Sequence, residues 1–301
     1  MTTMSIIVAV TDEPPPRAGR AIPEWLAALS REARENQAEI ILVGSLGGDD
    51  SSLARLAAVP GVTVRSIEAP RNALAPELWG KGLLASRAPI VAFTINQCVV
   101  NSGWGRAASE GLAGSDVGVG GSIQLSPAAN TVARAIYFLR YSAFLSAAAP
   151  QRRQVHDIAG DNAAYLRASL LAHGTYEHGF WEIEPHHAMR TTGATLSMIP
   201  GMGATFGGSP RLLTFMRQRF AHGKHFGQWR VRHGNRKPWQ IIAPAPLVPF
   251  VFLLRTFRRV SAAGGGVGSF LRCLAPFLSL ATAWAAGEAA GALSSAKHRP
   301  G

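Results

Sequence analysis

Short apolar runs alternate with amphipathic segments through the first third of the chain. Four runs rich in branched aliphatic residues lie at residues 5–10, 38–45, 62–67 and 89–94, and each has the length of a β-strand. Between them, apolar residues recur at helical spacing in "AIPEWLAALSREARENQ", "DDSSLARLAAV" (residues 49–59) and "APELWGKGLLASRA". This alternation predicts an α/β fold with a mostly parallel, mixed sheet and helices on both faces.

The residues at the carboxyl ends of these runs are the first candidate site. Thr11 follows the first run, Gly44 and Ser45 end the second, and Asn96 lies just beyond the fourth. The carboxyl ends of parallel strands meet at one edge of a sheet, and ligands of such folds bind there. We therefore expect a ligand site along this edge.

The middle of the chain continues the mixture of elements. Residues 103–115 and 132–145 predict helices, residues 117–125 predict a strand, and residues 160–174 predict a loop followed by a helix. Residues 210–232 predict a strongly basic amphipathic helix. The alternation therefore extends well beyond the first four strands.

Two acids precede a proline in the segment "GFWEIEPHHAMRTTG". Pro185 allows a helix to begin close to it, which would place Glu182 and Glu184 at or just before the helix N-terminus. Acids at that position are also favoured by the helix dipole alone. A catalytic role and a structural role therefore both stay open for this pair.

The tail differs from everything before it. Residues 238–254 and 273–287 form uncharged stretches of 17 and 15 residues, shorter than the ~20 that a perpendicular membrane helix needs. The four arginines between them would lie on the wrong face for a spanning hairpin. We expect two interfacial or partly inserted helices on the cytoplasmic side, with arginines at anionic headgroups. The alternative is a buried helical pair of a soluble domain.

Charge is distributed very unevenly over the 301 residues. Residues 1–184 carry a net charge of −2, whereas residues 185–301 carry 15 basic residues against one acid, Glu288. The basic half indicates an anionic partner. We expect no nucleic acid as a partner, because the basic residues alternate with long apolar runs that a soluble RNA-binding protein would seldom expose.

Cys98 and Cys273 are predicted to be buried thiols in a reducing compartment.

The order of these motifs resembles the family 2 glycosyltransferases with the GT-A fold, in particular bacterial membrane-associated members. The resemblance covers nearly the whole chain. It is carried by seven segments: "SIIVAVT", "AEIILVGS", "APELWGKGLLASRAPIVAFT", "GDNAAYLR", "GFWEIEPHHAMRTTG", "RQRFAHGKHF" and "AWAAGEAAGAL". It implies a glycosyltransferase domain over residues 1–235 and a C-terminal membrane-associated helical segment over residues 236–301.

The resemblance also implies an activity and a place for it. The family moves a sugar from a nucleotide-sugar donor, here expected to be UDP-linked, to an acceptor hydroxyl with inversion. The acceptor is expected to be lipid-linked or membrane-associated, the protein to lie on the cytoplasmic face of the cell membrane, and the cofactor to be Mg²⁺ or Mn²⁺.

The residues that the resemblance implies fall into four groups. The catalytic base is Glu182, with Glu184 in reserve. The donor-binding residues are Val10, Thr11, Gly44, Ser45, Lys81 and Asn96. The acceptor and phosphate residues are Asp161, Asn162, Arg217, Arg219, His222 and Lys224. The metal ligands are Asn96 and His186.

Two donor-site positions depart from the family pattern. Asn96 stands where the family has an acidic metal motif, and Gly44 stands where it often has an aspartate. Asn can offer an oxygen ligand but brings no charge to neutralise a divalent cation. Two interpretations follow: a working enzyme whose basic side chains balance the diphosphate, or a catalytically degenerate binding or scaffold protein at the membrane.

Overall fold

The strands form two sheets in the computed structural model, which describes residues 2–11, 23–45, 61–145, 151–233, 236–264 and 266–296. The larger sheet has eight strands in the order β3-β2-β1-β4-β9-β6-β10-β8, and the smaller has the order β5-β11-β7. The strands are β1 (Met4–Val10), β2 (Glu39–Gly44), β3 (Thr63–Glu68), β4 (Ile90–Ile95), β5 (Cys98–Val100), β6 (Asp116–Gly120), β7 (Ile123–Leu125), β8 (Arg153–Val155), β9 (Asn162–Leu166), β10 (Thr195–Met198) and β11 (Ala204–Phe206).

The helices vary from a single turn to more than six turns. They are α1 (Glu24–Glu35), α2 (Ala75–Ala85), α3 (Trp104–Leu112), α4 (Thr131–Tyr141), α5 (Arg167–Ala172), α6 (Ile183–Thr191), α7 (Leu212–His233), α8 (Trp239–Ile242), α9 (Val248–Ala262), α10 (Val267–Leu271) and α11 (Leu274–Ala296), with a 3₁₀ turn at Ala245–Leu247. The predicted helix at residues 49–59 lies outside the described residues.

The four predicted N-terminal strands are confirmed, and they pair in parallel as β3-β2-β1-β4. Val10 lies opposite Gly44, and Ala9 lies opposite Ile95. Beyond β4 the sheet becomes mixed, because β9 runs antiparallel to both β4 and β6. The predicted α/β class, with a mixed central sheet and helices on both sides, is confirmed.

Close backbone contacts hold helices onto this sheet. Helix α2 approaches β1 so closely that a Cβ at Gly82 would lie 2.2 Å from Cγ2 of Ile7. Glu32 of α1 is fully buried, and its carboxylate accepts hydrogen bonds of 2.9 Å from the backbone N–H groups of Gly103 and Gly105. An acid at that helix N-terminus satisfies donors that the helix itself leaves unpaired.

Two predicted segments differ from the structure. Residues 160–174 contain a strand, β9, where a loop was expected before the helix. Residues 117–125 form two strands, β6 and β7, because the chain turns at Gly121. A Cβ at Gly121 would lie 1.5 Å from the carbonyl oxygen of Met202, so this turn lies directly against another backbone segment.

The chain divides into two compact units. The first comprises residues 1–126 and 144–207, and the second comprises residues 127–143 and 208–301. The second unit therefore contains α4 and all helices from α7 onward. The domain boundary predicted at residues 235 and 236 falls inside this second unit.

Within the second unit, α7 and α11 lie side by side and are joined through glycines. Gly223 and Gly227 of α7 face Gly287 and Gly291 of α11, so each helix contributes two glycines four residues apart. A Cβ on any of the four would lie between 2.0 and 2.2 Å from a carbonyl oxygen of the other helix. Small residues at this spacing allow two helix backbones to approach closely.

The tail segments differ in exposure. The stretch Trp239–Ala262 is long and apolar enough to cross a membrane, with a mean hydropathy of 1.5 and only 17% of its most apolar window buried. Most side chains of α11 from Phe277 to Ala292 are instead buried or half-buried. The second apolar segment thus matches the buried-helix alternative, whereas α8 and α9 keep an exposed apolar side. Cys98 and Cys273 are buried thiols that are not joined in a disulfide, as expected.

Candidate active site at the carboxyl edge of the sheet

The ends of β1 and β2 form one side of the candidate site in the first unit. Val10, Thr11 and Ser45 are half-buried, and Gly44 is buried. A Cβ at Gly44 would lie 2.1 Å from the carbonyl oxygen of Val10. An aspartate therefore does not fit at position 44 in this backbone arrangement.

Asn96 is bonded to both backbone groups of Thr11. Its Oδ1 accepts hydrogen bonds from the N–H (3.2 Å) and the hydroxyl (3.3 Å) of Thr11, and its Nδ2 donates to the Thr11 carbonyl (3.2 Å). Gln97 adds a bond from its Nε2 to Oγ1 of Thr11, at 2.7 Å. Asn96 and Gln97 are 3% and 5% exposed. The two amides thus hold the chain in place where it leaves β1.

The start of β9 lies beside the end of β4, because Thr94 pairs with Asn162. Asp161 and Asn162 are buried. The Asn162 amide accepts from the Trp104 indole at 2.6 Å and donates to the carbonyls of Ser122 and Met202. The Asn162 amide is therefore bonded within the protein, and its predicted contact with the acceptor stays a prediction.

Glu182 is the acid that reaches this edge. It is half-buried at the N-cap of α6, and its Oε1 would lie 2.6 Å from a Cβ added to Gly160. The Trp79 ring lies against the same glycine, and its indole donates to the carbonyl of Thr94 at 2.8 Å. Glu182 therefore lies near the end of β4 and the start of β9.

Glu184 lies two residues further along the chain. It is in the first turn of α6, and its charge acts on Tyr176, whose pKa is raised chiefly by burial and secondly by Glu184. The charge of Glu182 acts instead on Tyr165 of β9, whose pKa burial raises far above its usual value. Of the two acids that the sequence left open, the geometry favours Glu182 as the one at the strand edge.

His186 belongs to a buried network. It is fully buried, and its two ring nitrogens lie 2.8 Å from the Tyr165 hydroxyl and 3.2 Å from a carboxylate oxygen of Asp157. Arg190 also bonds to Asp157. Burial alone would raise the pKa of Asp157, but the hydrogen bond with His186 and the charges of His186 and Arg190 lower it overall. With both ring nitrogens engaged, His186 does not have the arrangement of a metal ligand.

The predicted cations of α7 separate into two kinds. Arg217 and Lys224 are exposed. Arg219 is 7% exposed, lies 3.1 Å from Nδ1 of His222 and is positioned over the Trp284 ring at 5.6 Å. Burial, followed by the charge of Arg219, holds the pKa of His222 well below its usual value, so this imidazole is neutral at physiological pH. Arg217 and Lys224 remain the accessible phosphate candidates on this helix.

Lys81 is exposed on α2. Its predicted contact with the donor and that of the α7 cations with the diphosphate stay predictions.

Several residues that build the edge were missed by the sequence reasoning. Trp79, Gly160, Gln97 and Tyr165 contact the predicted residues, but none was predicted as a site residue, although all except Gln97 lie in segments that carry the family resemblance. The glycine directly before Asp161 was the one available signal, since a glycine next to a candidate site often marks a close approach.

Two surface depressions lie away from this edge. One is lined by Glu39 and Arg65 near the amino ends of β2 and β3, and the other by Asp116 and Arg152 beside β6. Both are open to solvent, and in each the acid and the arginine pair with one another. We assign no ligand to either depression.

No group of three or more His, Cys, Asp or Glu side chains that could hold a metal ion occurs among the described residues. The predicted ligands Asn96 and His186 are both bonded within the protein. These two residues therefore do not have the arrangement that a divalent cation needs.

Comparison of the whole chain with solved structures shows the fold. The chain is similar to the mannosyltransferase PcManGT from Pyrobaculum calidifontis in complex with GDP-Man and Mn²⁺, with a TM-score of 0.56 and 18% identity over 97% of this chain and 86% of that one. The chain is less similar to S. aureus TarS 1-349 in complex with UDP-GlcNAc, with a TM-score of 0.48 and 9% identity over 93% of this chain and 90% of that one. No protein-family model matches the chain, and no curated protein matches it in sequence.

Proposed function

We propose that this chain is an inverting glycosyltransferase, which moves a sugar from a UDP-linked donor to a membrane-associated or lipid-linked acceptor. The observation that carries the proposal is the position of Glu182. Its carboxylate lies against Gly160, beside the start of β9 and the end of β4, where Asn96 holds Thr11. The fold shared with the mannosyltransferase structure supports the same class of reaction.

Glu182 is proposed as the general base. The acceptor hydroxyl attacks the anomeric carbon, the carboxylate takes the hydroxyl proton, and the bond from the sugar to the diphosphate breaks with its electron pair. The departing nucleoside diphosphate gains negative charge, which basic side chains stabilise. Lys81, Arg217 and Lys224 are the exposed candidates for that charge among the residues that the sequence predicts.

Turnover of nucleotide-sugars by Glu182→Gln is the direct test. Release of nucleoside diphosphate from UDP-glucose, UDP-GlcNAc and GDP-mannose would be measured with vesicles of bacterial membrane lipid as the acceptor source. We expect kcat to fall roughly 10²–10⁴-fold, as for loss of a general base, with donor affinity unchanged. Glu184→Gln is the matched control and should stay close to wild type. A fully active Glu182→Gln variant would contradict the assignment.

The proposed membrane contact is the exposed apolar face of α9 and the turn before it. Its large apolar side chains are between 42% and 63% exposed. They are Leu247, Phe250, Val251, Leu254 and Phe257. Thr256 and Val260, on the opposite side of the helix, are buried. An in-plane helix with one apolar face is the form that interfacial anchors take.

Charge favours anionic lipid as the occupant of this face. Arg255 and Arg258 are exposed on the same helix. The second unit contains one acidic side chain, Glu288, which is 4% exposed and bonded to Arg230. A second copy of this surface would bring like charges together, whereas anionic headgroups attract them, by ~1 kcal/mol per basic residue near the surface.

Flotation with phosphatidylcholine vesicles, with and without phosphatidylglycerol, tests this contact. We expect binding that requires phosphatidylglycerol and weakens with salt. The double variant Phe250→Ser/Leu254→Ser should bind at least about tenfold more weakly, since each buried apolar side chain is worth roughly 1.5–3 kcal/mol. Leu171→Ser, at a side chain of the first unit that is 40% exposed, is the control. Unchanged binding of the double variant would refute the contact.

A catalytically degenerate, glycosyltransferase-like binding or scaffold protein at the membrane is the second candidate. It is favoured by Asn96 and Gly44, which occupy positions where the resemblance leads us to expect acids. Calorimetry separates the two candidates: UDP binding without turnover, and unaltered by Glu182→Gln, would select the scaffold. Turnover that depends on Glu182 would select the enzyme.

A further inference from the structure

We propose that Asn96 is a positioning residue for Thr11, and that a donor diphosphate binds here without a divalent metal ion at the end of β4. The inference rests on the proposed function, because it concerns how a nucleotide-sugar is held. It runs against the Mg²⁺ or Mn²⁺ cofactor that the family resemblance implies.

The bonds of Asn96 require an amide. The side chain accepts from the backbone N–H of Thr11 and donates to its carbonyl, both at 3.2 Å. Only an amide both accepts and donates in this way, whereas an ionised carboxylate only accepts. An aspartate at position 96 would set a charged oxygen against the Thr11 carbonyl. The acid that would hold a metal is therefore incompatible with this arrangement.

Gln97 closes the network around the same residue. It donates to the Thr11 hydroxyl at 2.7 Å, and that hydroxyl lies 3.3 Å from Oδ1 of Asn96. The backbone N–H of Asn96 bonds to the carbonyl of Ala9 at 3.2 Å, which continues the pairing of β1 and β4. Turning the Asn96 side chain towards a bound cation would break its three hydrogen bonds with Thr11.

The two predicted metal ligands are also unsuited to a hard cation. Mg²⁺ and Mn²⁺ are usually held by several oxygen ligands that include carboxylates. Oδ1 of Asn96 already accepts two hydrogen bonds, and both nitrogens of His186 are engaged in a fully buried network. Asp12 and Glu13 follow Thr11 outside the described residues, so the experiment measures Mn²⁺ binding by the full chain directly.

Without a metal, the diphosphate charge has to be met by basic side chains and backbone N–H groups. Lys81 on α2 is an exposed basic candidate in the first unit, and the predicted contacts of Arg217 and Lys224 with the diphosphate stay predictions. The hydrogen bonds from Asn96 and Gln97 keep Thr11, the residue that follows β1, in one conformation. Rigid placement of this kind lowers the entropy cost of binding.

The first experiment titrates the EDTA-treated full-length protein with UDP and with GDP, in EDTA and in Mn²⁺. We expect the same affinity in both conditions, and no binding when Mn²⁺ is titrated alone. Nucleotide binding that tightens tenfold or more with Mn²⁺, or a stoichiometric Mn²⁺ site in the free protein, would overturn the inference.

The second experiment compares Asn96→Asp with Asn101→Asp, which adds the same charge on an exposed residue after β5. Without nucleotide, Asn96→Asp should lower the melting temperature by several degrees at neutral pH, and Mn²⁺ should not restore it. The deficit should shrink towards about pH 4, where a protonated aspartate regains the donor. Asn101→Asp should change little.

Different results would contradict the inference about Asn96 and the proposed function. An Asn96→Asp protein as stable as wild type, or one that Mn²⁺ stabilises, would overturn the role given to Asn96. These readouts need neither turnover nor nucleotide. Absence of nucleotide binding in both EDTA and Mn²⁺ would instead contradict the proposed function.

Discussion

The contact between α7 and α11 gives the sharpest stability prediction. A methyl group at Gly287 would lie 2.0 Å from the carbonyl oxygen of Phe220, and one at Gly291 would lie 2.0 Å from that of Lys224. Ordinary contact begins near 3.4 Å, so either alanine forces the helices about 1.4 Å apart. Both obstacles are backbone atoms, which cannot turn aside as a side chain can.

The expected magnitude is the difference of two effects. Overpacking typically costs about 1–3 kcal/mol, and a backbone obstacle favours the upper end of that range. Alanine gains about 1 kcal/mol over glycine in helix propensity. We therefore expect each single variant to lose about 2 kcal/mol. The double variant Gly287→Ala/Gly291→Ala should lose less than the sum, because one displacement of the helices relieves both clashes.

Urea unfolding followed by tryptophan fluorescence measures these effects, since Trp229 and Trp284 lie in the two helices. Gly268→Ala is the matched control: it lies in α10, nothing is within 4 Å of its added Cβ, and it should gain roughly 0.4–1 kcal/mol. Gly287→Ala and Gly291→Ala proteins as stable as wild type would refute the close helix contact. Equal losses in all three variants would show a general intolerance of the second unit.

The remaining predictions concern the strand edge and the acid stability of the sheet. Gly160→Ala displaces the Glu182 carboxylate and overpacks the buried Trp79 ring, so kcat should fall ~10²-fold and the free energy of unfolding by about 1–3 kcal/mol; an unaltered kcat would contradict the geometry. Gly44→Asp should destabilise the protein in an urea titration, whereas Ser45→Asp should not. Burial alone would raise the pKa of Asp116, but hydrogen bonds from two hydroxyls and an arginine lower it overall. The ionised form of Asp116 thus stabilises the fold at pH values above about 3.9, the pKa of an aspartate in the unfolded chain. This stabilisation is lost as the pH falls through the lower pKa that Asp116 has in the folded protein. Asp116→Asn should be less stable than wild type at neutral pH and show a flatter acid unfolding curve.

Three of the four parallel strands could be predicted because they are buried runs with their own signal. Strands β1, β2 and β4 are continuous apolar segments between turn residues. Strand β9 carries no such signal, since "NAAYL" has no branched aliphatic residue except its last and continues directly into α5. Its extended form depends on pairing with β4 and β6. Pairing between distant segments outweighs local propensity in strands of this kind.

The site residues divide in the same way: positions set by the local sequence could be predicted, whereas positions set by contacts with distant segments could not. The sequence placed Glu182 near a helix N-terminus, and the structure puts it at the N-cap of α6. It could not place His186, whose partners are 21 and 29 residues away, or separate exposed Arg217 from buried Arg219. Two residues apart on a helix, these arginines point in different directions, and only the position of α11 decides which is enclosed.

The two departures from the family pattern act on the same short piece of chain. Gly44 allows the backbone of β2 to lie against the carbonyl of Val10, and Asn96 binds both backbone groups of the next residue, Thr11. A side chain at position 44 would push the end of β1 away, and a carboxylate at position 96 would repel it. Gly44 and Asn96 are therefore both compatible with the same backbone conformation at the end of β1. A site that had merely lost two acids would leave that end without partners, whereas here four hydrogen bonds to Thr11 from Asn96 and Gln97 fix it. For the donor edge that we propose, this coherence favours a rebuilt arrangement over a random loss of two acids.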